Sequence, residues 1–470
     1  MIFTKPLKIY MIGIKGVGMT MLAQYLAAKG HNITGSDVAE SFMTDQVLKK
    51  AGIKVFEGFD LKNIPADYDL VIYSTSYNKN SNIELAEVLN RKRKILTYAE
   101  ATAAVFNEKY GIAVVGSHGK TTTTAWLGFV LNECGHSPSV LVGANVKQFG
   151  GASLVGTSEY LVAEVDEYQN KLQYFNPKIV LLNNIDYDHP DFFPTPDDYT
   201  QVFIDFIEKI PSKGFLVTNI DDTQIQKIAQ VNTRGRVVTY SIDGAADYVA
   251  YDIKSTSQGN ETRQYFKVKI AGDDLENASE TELGDFAICL SGKHNIYNAL
   301  AVIATCLELE VNLTCLRTAL ENFKGTDRRA EVLGQFQGTP IIDDYAHHPT
   351  EIKATLSGLR ATYKNKNIIV VFHPHTYTRT KAMINEFADS FVDADQVIVL
   401  DIYGSAREVQ GGVNSSELVE KINQHGVNAK YIPKLDECEQ YLRDNVSKRD
   451  IVVLMGAGDV FRIGKNLLKL

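Results

Sequence analysis

One stretch constrains the fold of this chain more than any other: Val114-Val115-Gly116-Ser117-His118-Gly119-Lys120-Thr121-Thr122-Thr123-Thr124. An apolar strand runs into a glycine-spaced loop that ends in Lys-Thr, and a helix is expected from about Thr122 to Cys134. That is the chemistry of a triphosphate site. Glycine lets backbone N–H groups approach phosphate oxygens, Lys120 supplies a point charge to the β/γ region, and the Thr121 hydroxyl can reach a Mg²⁺ ion. The positive end of the following helix is aimed at the same anion. The first glycine of the usual G-x-x-x-x-G-K-[ST] pattern would fall at position 114, where Val114 stands, so the loop is a shortened variant. A plain strand-turn-helix joint is the alternative reading of this stretch alone.

The same alternation extends through the chain. Apolar runs of strand length lie at Lys8 to Ile14, His31 to Gly35, Leu70 to Ser74, Ile112 to Val115, Tyr160 to Glu164, Ile179 to Asn183 and Phe215 to Asn219. After a break near Phe323 to Asp327 come Pro340 to Asp343, Ile368 to Phe372, Gln396 to Asp401, Ala429 to Ile432 and Asp450 to Met455. Short buried strands separated by helices predict parallel α/β sheets. Asp243 to Leu290 differs: it is rich in Asp, Thr, Ser and Gly, with period-2 apolar residues, and reads as an antiparallel excursion on a sheet edge. A length of 470 residues is too great for one core, and a size of about 150 residues per domain predicts three.

Charge and cysteine usage narrow the class. With 48 Lys+Arg against 57 Asp+Glu the net charge is -9, which argues against nucleic acid or an anionic membrane as main partner. The five cysteines, Cys134, Cys289, Cys306, Cys315 and Cys438, show no CxxC pair and no zinc spacing, and are expected as reduced, mostly buried thiols of a cytoplasmic protein. The start, Met1 to Pro6, passes straight into a strand without a signal-peptide core, and no apolar run approaches 18 residues.

Other constellations add chemistry. Gly13-Ile14-Lys15-Gly16-Val17-Gly18 is a glycine turn after the first strand, with Asp37 at the end of the next, as in a dinucleotide fold. Lys15 stands at the second glycine of G-x-G-x-x-G, which weakens a nicotinamide reading and offers a cation beside a nucleotide diphosphate. Glu164-Val165-Asp166-Glu167 and Asn183 to Asp191 end successive strands beside the phosphate loop, where carboxylates can hold a metal. Asn295 and Asn298 share one face at the start of a helix, fit either to read an adenine edge or to cap. Asp343 to Glu351, with His347 and His348, and Phe372 to Lys381, with His373, His375 and Arg379, make a cationic rim suited to carboxylates and phosphates. Arg328 and Arg329 lie at the inferred junction, where an Arg can swing onto phosphate.

Taken together, GIxGxGM, GSHGKTTT, EVDE, DHPD, HNIYNA, DDYAHHPTEI, FHPHTYTRT and GAGD resemble, in this order and across nearly the whole chain, the Mur ligases of peptidoglycan precursor synthesis. The resemblance implies an α/β protein of three domains: a Rossmann-like UDP-sugar domain over 1–108, a central phosphate-loop ATPase-like domain with a mostly parallel sheet over 109–324, and a Rossmann-like C-terminal domain over 325–470 that closes over ATP and delivers the amine. It implies ATP and Mg²⁺, with Gly116, Ser117, His118, Gly119, Lys120, Thr121 and Thr122 around the phosphates, Asn295 on adenine, Arg329 on phosphate and Asp344 on ribose. Thr121, Glu164 and His189 would lie around Mg²⁺, and Gly13, Lys15, Gly16, Val17, Gly18, Asp37 and Ser74 around the UDP-sugar. His347, His375 and Arg379, with Lys120, would be the catalytic set, and which His, if any, takes the amine proton stays open. FHPHTYTRT points to a single amino acid, L-alanine, joined to UDP-N-acetylmuramate; the EVDE and DHPD stretches look as much like ligases of a recycled tripeptide. Lys15 departs from the family, which usually has glycine there. A monomer or weak homodimer is expected, and a nicotinamide-dependent dehydrogenase is the reading from another class.

Overall fold

A computed structural model describes residues 2–228, 233–258, 261–271, 281–404 and 410–470. Three sheets follow one another along the chain. The first has five parallel strands, in spatial order Lys54–Glu57, Asn32–Asp37, Lys8–Ile12, Leu70–Tyr73 and Ile95–Thr97. Order reverses at Lys8–Ile12, and the carboxyl end of that strand carries the glycine turn, as expected of a doubly wound sheet.

The second sheet has ten strands. Its centre is parallel: Phe215–Asn219, Ile179–Leu182, Tyr110–Val115, Tyr160–Glu164 and Ser139–Val146 lie side by side. The expected excursion forms one edge, where Tyr248–Gln258, Glu261–Ile270 and Thr281–Ile288 pair antiparallel. Arg236–Ser241, Ser139–Val146 and Gly151–Leu154 were not anticipated, because their polar and glycine residues break the apolar runs that mark buried strands. The third sheet has six strands, with Glu331–Phe336 antiparallel at one edge and Thr339–Asp344, Asp450–Met455, Asn367–Phe372, Gln396–Val399 and Asn428–Tyr431 parallel.

Apolar packing divides the molecule unevenly. One continuous buried cluster joins Met11, Leu22 and Phe106 of the first sheet layer to Val115, Leu161 and Phe203 of the second. The third sheet keeps two clusters of its own, one on each face, around Phe372 and around Leu454. The first two units are thus fused by hydrophobic contact, whereas the third meets them through polar groups.

One expectation fails. Cys134, at the C-cap of helix Lys120–Glu133, is bonded to Cys315 in helix Leu313–Asn322, with Cα atoms 5.8 Å apart. The two thiols are 181 residues apart in sequence and meet only because both helices pack on the same face of the central sheet. Cys306 and Cys438 are buried and free, and Cys289 is free and half-buried.

Candidate active site

The phosphate loop is held by its neighbour strand. Tyr110–Val115 pairs with Ile179–Leu182, so the residues after each strand lie side by side: His118 N–H donates to Asn184 Oδ1 at 2.8 Å, Asn184 Nδ2 returns to His118 O at 3.1 Å, and the Ser117 hydroxyl donates to Asp186 O at 2.7 Å. Gly119 begins the helix at φ 79°, and a Cβ there would stand 2.5 Å from Asn298 Oδ1, so only glycine closes this turn. The helix Lys120–Glu133 starts two residues before the expected point and presents its first-turn N–H groups to the loop.

Lys120 is half-buried and folds back on the loop, reaching Gly116 O, Ser117 O at 3.1 Å and Glu167 Oε2 at 3.0 Å. Burial penalises its charge, but Glu167, Asp166 and Glu164 outweigh that and hold the ammonium above its ordinary pKa. Thr121 donates to Glu164 Oε1 at 2.9 Å, and Glu164 Oε2 accepts from Gly143 N–H at 2.8 Å. His189 stands 3.8 Å from Glu167, and Asp166, Glu167 and His189 bring ligand atoms within 4.8 Å of one another. Thr121 and Glu164 thus bond each other, while His189 faces Glu167. Oxygen donors dominate both groups, a set that fits a hard cation such as Mg²⁺.

A cavity of about 740 Å³ opens beside the loop, lined by His118, Asn183, Asn295, Arg329, Asp344 and Glu351 among others. Asn295 is not the cap of its helix; Gly292 holds that position. Its amide instead accepts from Asn298 Nδ2 at 3.1 Å and donates to Ser291 O at 2.7 Å, which fixes both amides at the cavity wall. Asp344 accepts from Ala330 N–H at 2.8 Å and Ala346 N–H at 2.6 Å, stitching the junction to the third sheet. Of the two junction arginines, Arg328 is spent on Asp343 and Gly456 O, whereas Arg329 lines the cavity 3.7 Å from Glu351.

The third unit reaches the loop through Glu351, in the first turn of helix Pro349–Thr362. His118 is clamped between Asp186 (2.9 Å) and Glu351 (3.2 Å). Burial lowers its affinity for a proton, but the hydrogen bonds to those carboxylates outweigh this and raise the pKa to about 9. Glu351 also accepts from His347 N–H at 3.1 Å. His347 Nδ1 lies 3.0 Å from Tyr345 O, an acceptor, so in the neutral ring the proton sits on Nδ1 and the lone pair on Nε2. His375 is the opposite: its Nδ1 faces Arg379 Nη1 at 3.4 Å, and because a guanidinium only donates, the proton sits on Nε2. Burial, with the Arg379 guanidinium beside it, pushes His375 down to about 3 and keeps it neutral. Arg379 itself is buried against Asp188, at 3.0 and 3.1 Å. His347 and His375 rings stand 6.0 Å apart, so the expected His, His, Arg set does assemble.

The first glycine turn lies apart from this cluster. Gly13 and Ile14 N–H groups donate to Ser36 O, and Gly13, at φ 81°, packs where a Cβ would be 2.8 Å from Tyr77. Asp37 accepts from Lys15 N–H at 2.7 Å and from Tyr77 hydroxyl at 3.0 Å. The Lys15 ammonium, expected as a free cation for a diphosphate, is instead buried on Val38 O (3.0 Å) and Glu40 O (2.9 Å), 3.4 Å from Asp45. A buried ammonium must find internal acceptors, and the chain after the second strand supplies them. Val17 is exposed at the start of its helix, with Gly16 at the cap and Gly18 against Tyr98; Ser74 bonds Ser76. Asp186, Asp188, Glu167 and Glu351 carry much of the site and were legible only as members of acidic motifs.

Three α/β domains around a phosphate loop, with a polar third domain closed on it, define a multidomain enzyme that works on a nucleotide. The chain belongs to the Mur ligase family: residues 8–110 match the Mur ligase family catalytic domain, 114–306 the Mur ligase middle domain, and 328–458 the Mur ligase glutamate ligase domain. It is 39% identical to a UDP-N-acetylmuramate--L-alanine ligase of Desulfitobacterium hafniense over 98% of this chain and 100% of that one. A protein of the same name from Desulforapulum autotrophicum is 37% identical over 100% and 99%. The crystal structure of UDP-N-acetylmuramate-alanine ligase from Thermotoga maritima superposes with a TM-score of 0.81 at 25% identity, covering 98% of both chains. A murein peptide ligase from Psychrobacter arcticus shares the fold, with a TM-score of 0.74 at 24% identity over 98% of both chains. Among the described residues no helix is long and apolar enough to cross a membrane.

Proposed function

We propose that this chain joins L-alanine to the lactyl carboxylate of UDP-N-acetylmuramate at the cost of ATP, in the cytoplasm, as a step of peptidoglycan precursor synthesis. The domain limits we assign are 1–108 for the nucleotide sugar, 109–324 for ATP and 325–470 for the amino acid. The observation that carries the reading is the seating of the third domain's His347, His375 and Arg379 cluster against Asp188, and of its Glu351 against the phosphate-loop His118, which supports chemistry between a phosphate and an amine.

In this reading the carboxylate attacks the γ-phosphate of ATP, giving an acyl phosphate and ADP; the alanine amine then attacks the acyl carbon and phosphate leaves. The protein contributes position and charge rather than covalent chemistry. Lys120 neutralises the phosphates from inside the loop, Asn295 holds adenine, Arg329 reaches phosphate and Asp344 the ribose. Thr121 and Glu164, with His189 and Glu167 beside them, would hold Mg²⁺, whose part is to offset charge on the phosphate oxygens. Arg379 receives the alanine carboxylate. Of the two histidines, His347 in its neutral form has its lone pair on Nε2 and is the proton acceptor for the amine, whereas His375 offers an N–H.

Phosphate release with UDP-N-acetylmuramate and ATP, measured against L-alanine, L-serine, glycine and the tripeptide L-Ala-D-Glu-meso-diaminopimelate, tests this. Release is expected with L-alanine and not without an amine; release with the tripeptide alone would make the protein a recycling ligase.

A further inference from the structure

Arg379 does not stand alone in the amino-acid site. A guanidinium offers two forks, a side-on pair from Nε and Nη2 and an end-on pair from Nη1 and Nη2. The side-on fork is filled by Asp188: Nε reaches Oδ1 at 3.0 Å and Nη2 reaches Oδ2 at 3.1 Å. Nη1 meets His375 Nδ1 at 3.4 Å. Nη1 and Nη2 each carry a second N–H, and this end-on pair is what remains to grip another carboxylate; among the described residues no carboxylate but Asp188 reaches Arg379. Both partners of the pair are fixed from behind. Asp188 Oδ1 accepts the His189 N–H at 2.6 Å in the loop that follows strand Ile179–Leu182, and Arg379 sits in the helix Tyr377–Ala382, whose N-terminus is capped by Thr376. Asp188 belongs to the central domain and Arg379 to the third, and both side chains are buried where the domains meet.

We propose that Asp188 is a positioning residue for the amino-acid substrate: it holds the side-on fork of Arg379 so that the end-on fork faces the incoming carboxylate. The amino-acid site is therefore complete only when the third domain is closed on the central one. An Arg379 side chain without Asp188 keeps its charge but loses its aim, because a long side chain with several rotamers is fixed here by one bidentate partner. The inference rests on the reading of Arg379 as the partner of the alanine carboxylate.

Steady-state kinetics of the full-length protein separate the possibilities. Asp188→Asn, which keeps the Oδ1 acceptor but not the charge, is expected to raise the KM for L-alanine about tenfold or more, with the KM values for ATP and UDP-N-acetylmuramate and the Mg²⁺ requirement within about twofold of the parent. In an Arg379→Ala background the same substitution is expected to shift the alanine KM by less than about twofold, since there is then no fork to aim. A lower alanine KM in Asp188→Asn would make Asp188 a competitor for Arg379 and overturn the proposal. So would a shift in Mg²⁺ requirement equal to that in alanine KM, which would mean action through the neighbouring His189. If Asp188→Asn does not fold, Asp188→Glu carries the test, with a raised alanine KM expected and unchanged alanine and ATP constants contrary to it. If the parent itself releases no phosphate in response to alanine, the reading of function fails and not this inference alone.

Discussion

At the scale of residues, the site is a set of cations each answered by a carboxylate from elsewhere in the chain. Lys120 is answered by Glu167, His118 by Asp186 and Glu351, and Arg379 by Asp188. Lys120 could be named from the sequence because a phosphate loop is local: its glycines, lysine and threonine lie within a few residues and imply one another. Its partners could not. Glu351 reaches His118 across 233 residues, and Asp188 reaches Arg379 across 191, so nothing in either segment says which charge faces which. Lys15 teaches the same lesson in reverse, since a lysine beside a glycine turn looks like a phosphate ligand until the carbonyls of Val38 and Glu40 take its ammonium. Lys120→Ala is expected to slow alanine-dependent ADP release by roughly 2–4 kcal/mol of barrier, the scale of losing a preorganised charge donor. Turnover within a few-fold of the parent would remove Lys120 from the phosphate site.

At the scale of elements, the helix Lys120–Glu133 is the axis of the central domain. Eleven of its residues, Thr121 to Leu131, are buried, so it was legible as a helix from the loop that opens it and not from an amphipathic stripe. Its far end is tied by the Cys134–Cys315 bond to the helix Leu313–Asn322, which leads to the junction at Gly325. Sequence spacing argued for free thiols, and a separation of 181 residues offers no local sign of a pair. In the oxidised protein, titration under denaturing, non-reducing conditions should find three thiols rather than five, the free ones being Cys289, Cys306 and Cys438. Cys315→Ser is expected to lower the stability of that oxidised protein by about 2–4 kcal/mol in denaturant melts, the usual effect of opening a long loop. Five titrating thiols, or no loss of stability, would sink the assignment.

At the scale of the molecule, hydrophobic contact fuses the first two domains, while the third docks through polar pairs at His118 and Asp188. Interfaces of the second kind open and close with little loss of buried apolar surface, which suits a domain that must admit and release substrates. His118 makes docking depend on pH, with a sign that can be worked out. Its pKa is raised in the folded state to about 9, so its contribution is whole below the ordinary value of 6.5 and is lost as pH rises through about 9. Glu351 and Asp186 are held below their ordinary range, despite burial, by His347 and His118, so their share is present at neutral pH and lost only in acid. Small-angle scattering should show the radius of gyration rising as pH passes about 9, and a His118→Gln variant already expanded at pH 7 with a flatter profile. Superimposable profiles would exclude His118 as the closing contact. By itself the sequence determined the α/β class, the three-domain order and the phosphate loop, because each rests on patterns a few residues long that repeat with the period of strand and helix. Only the tertiary structure decided which carboxylate answers which cation, where Lys15 points, that two distant cysteines meet, and that the third domain is held by charge rather than by core, because these depend on how surfaces more than a hundred residues apart are brought face to face.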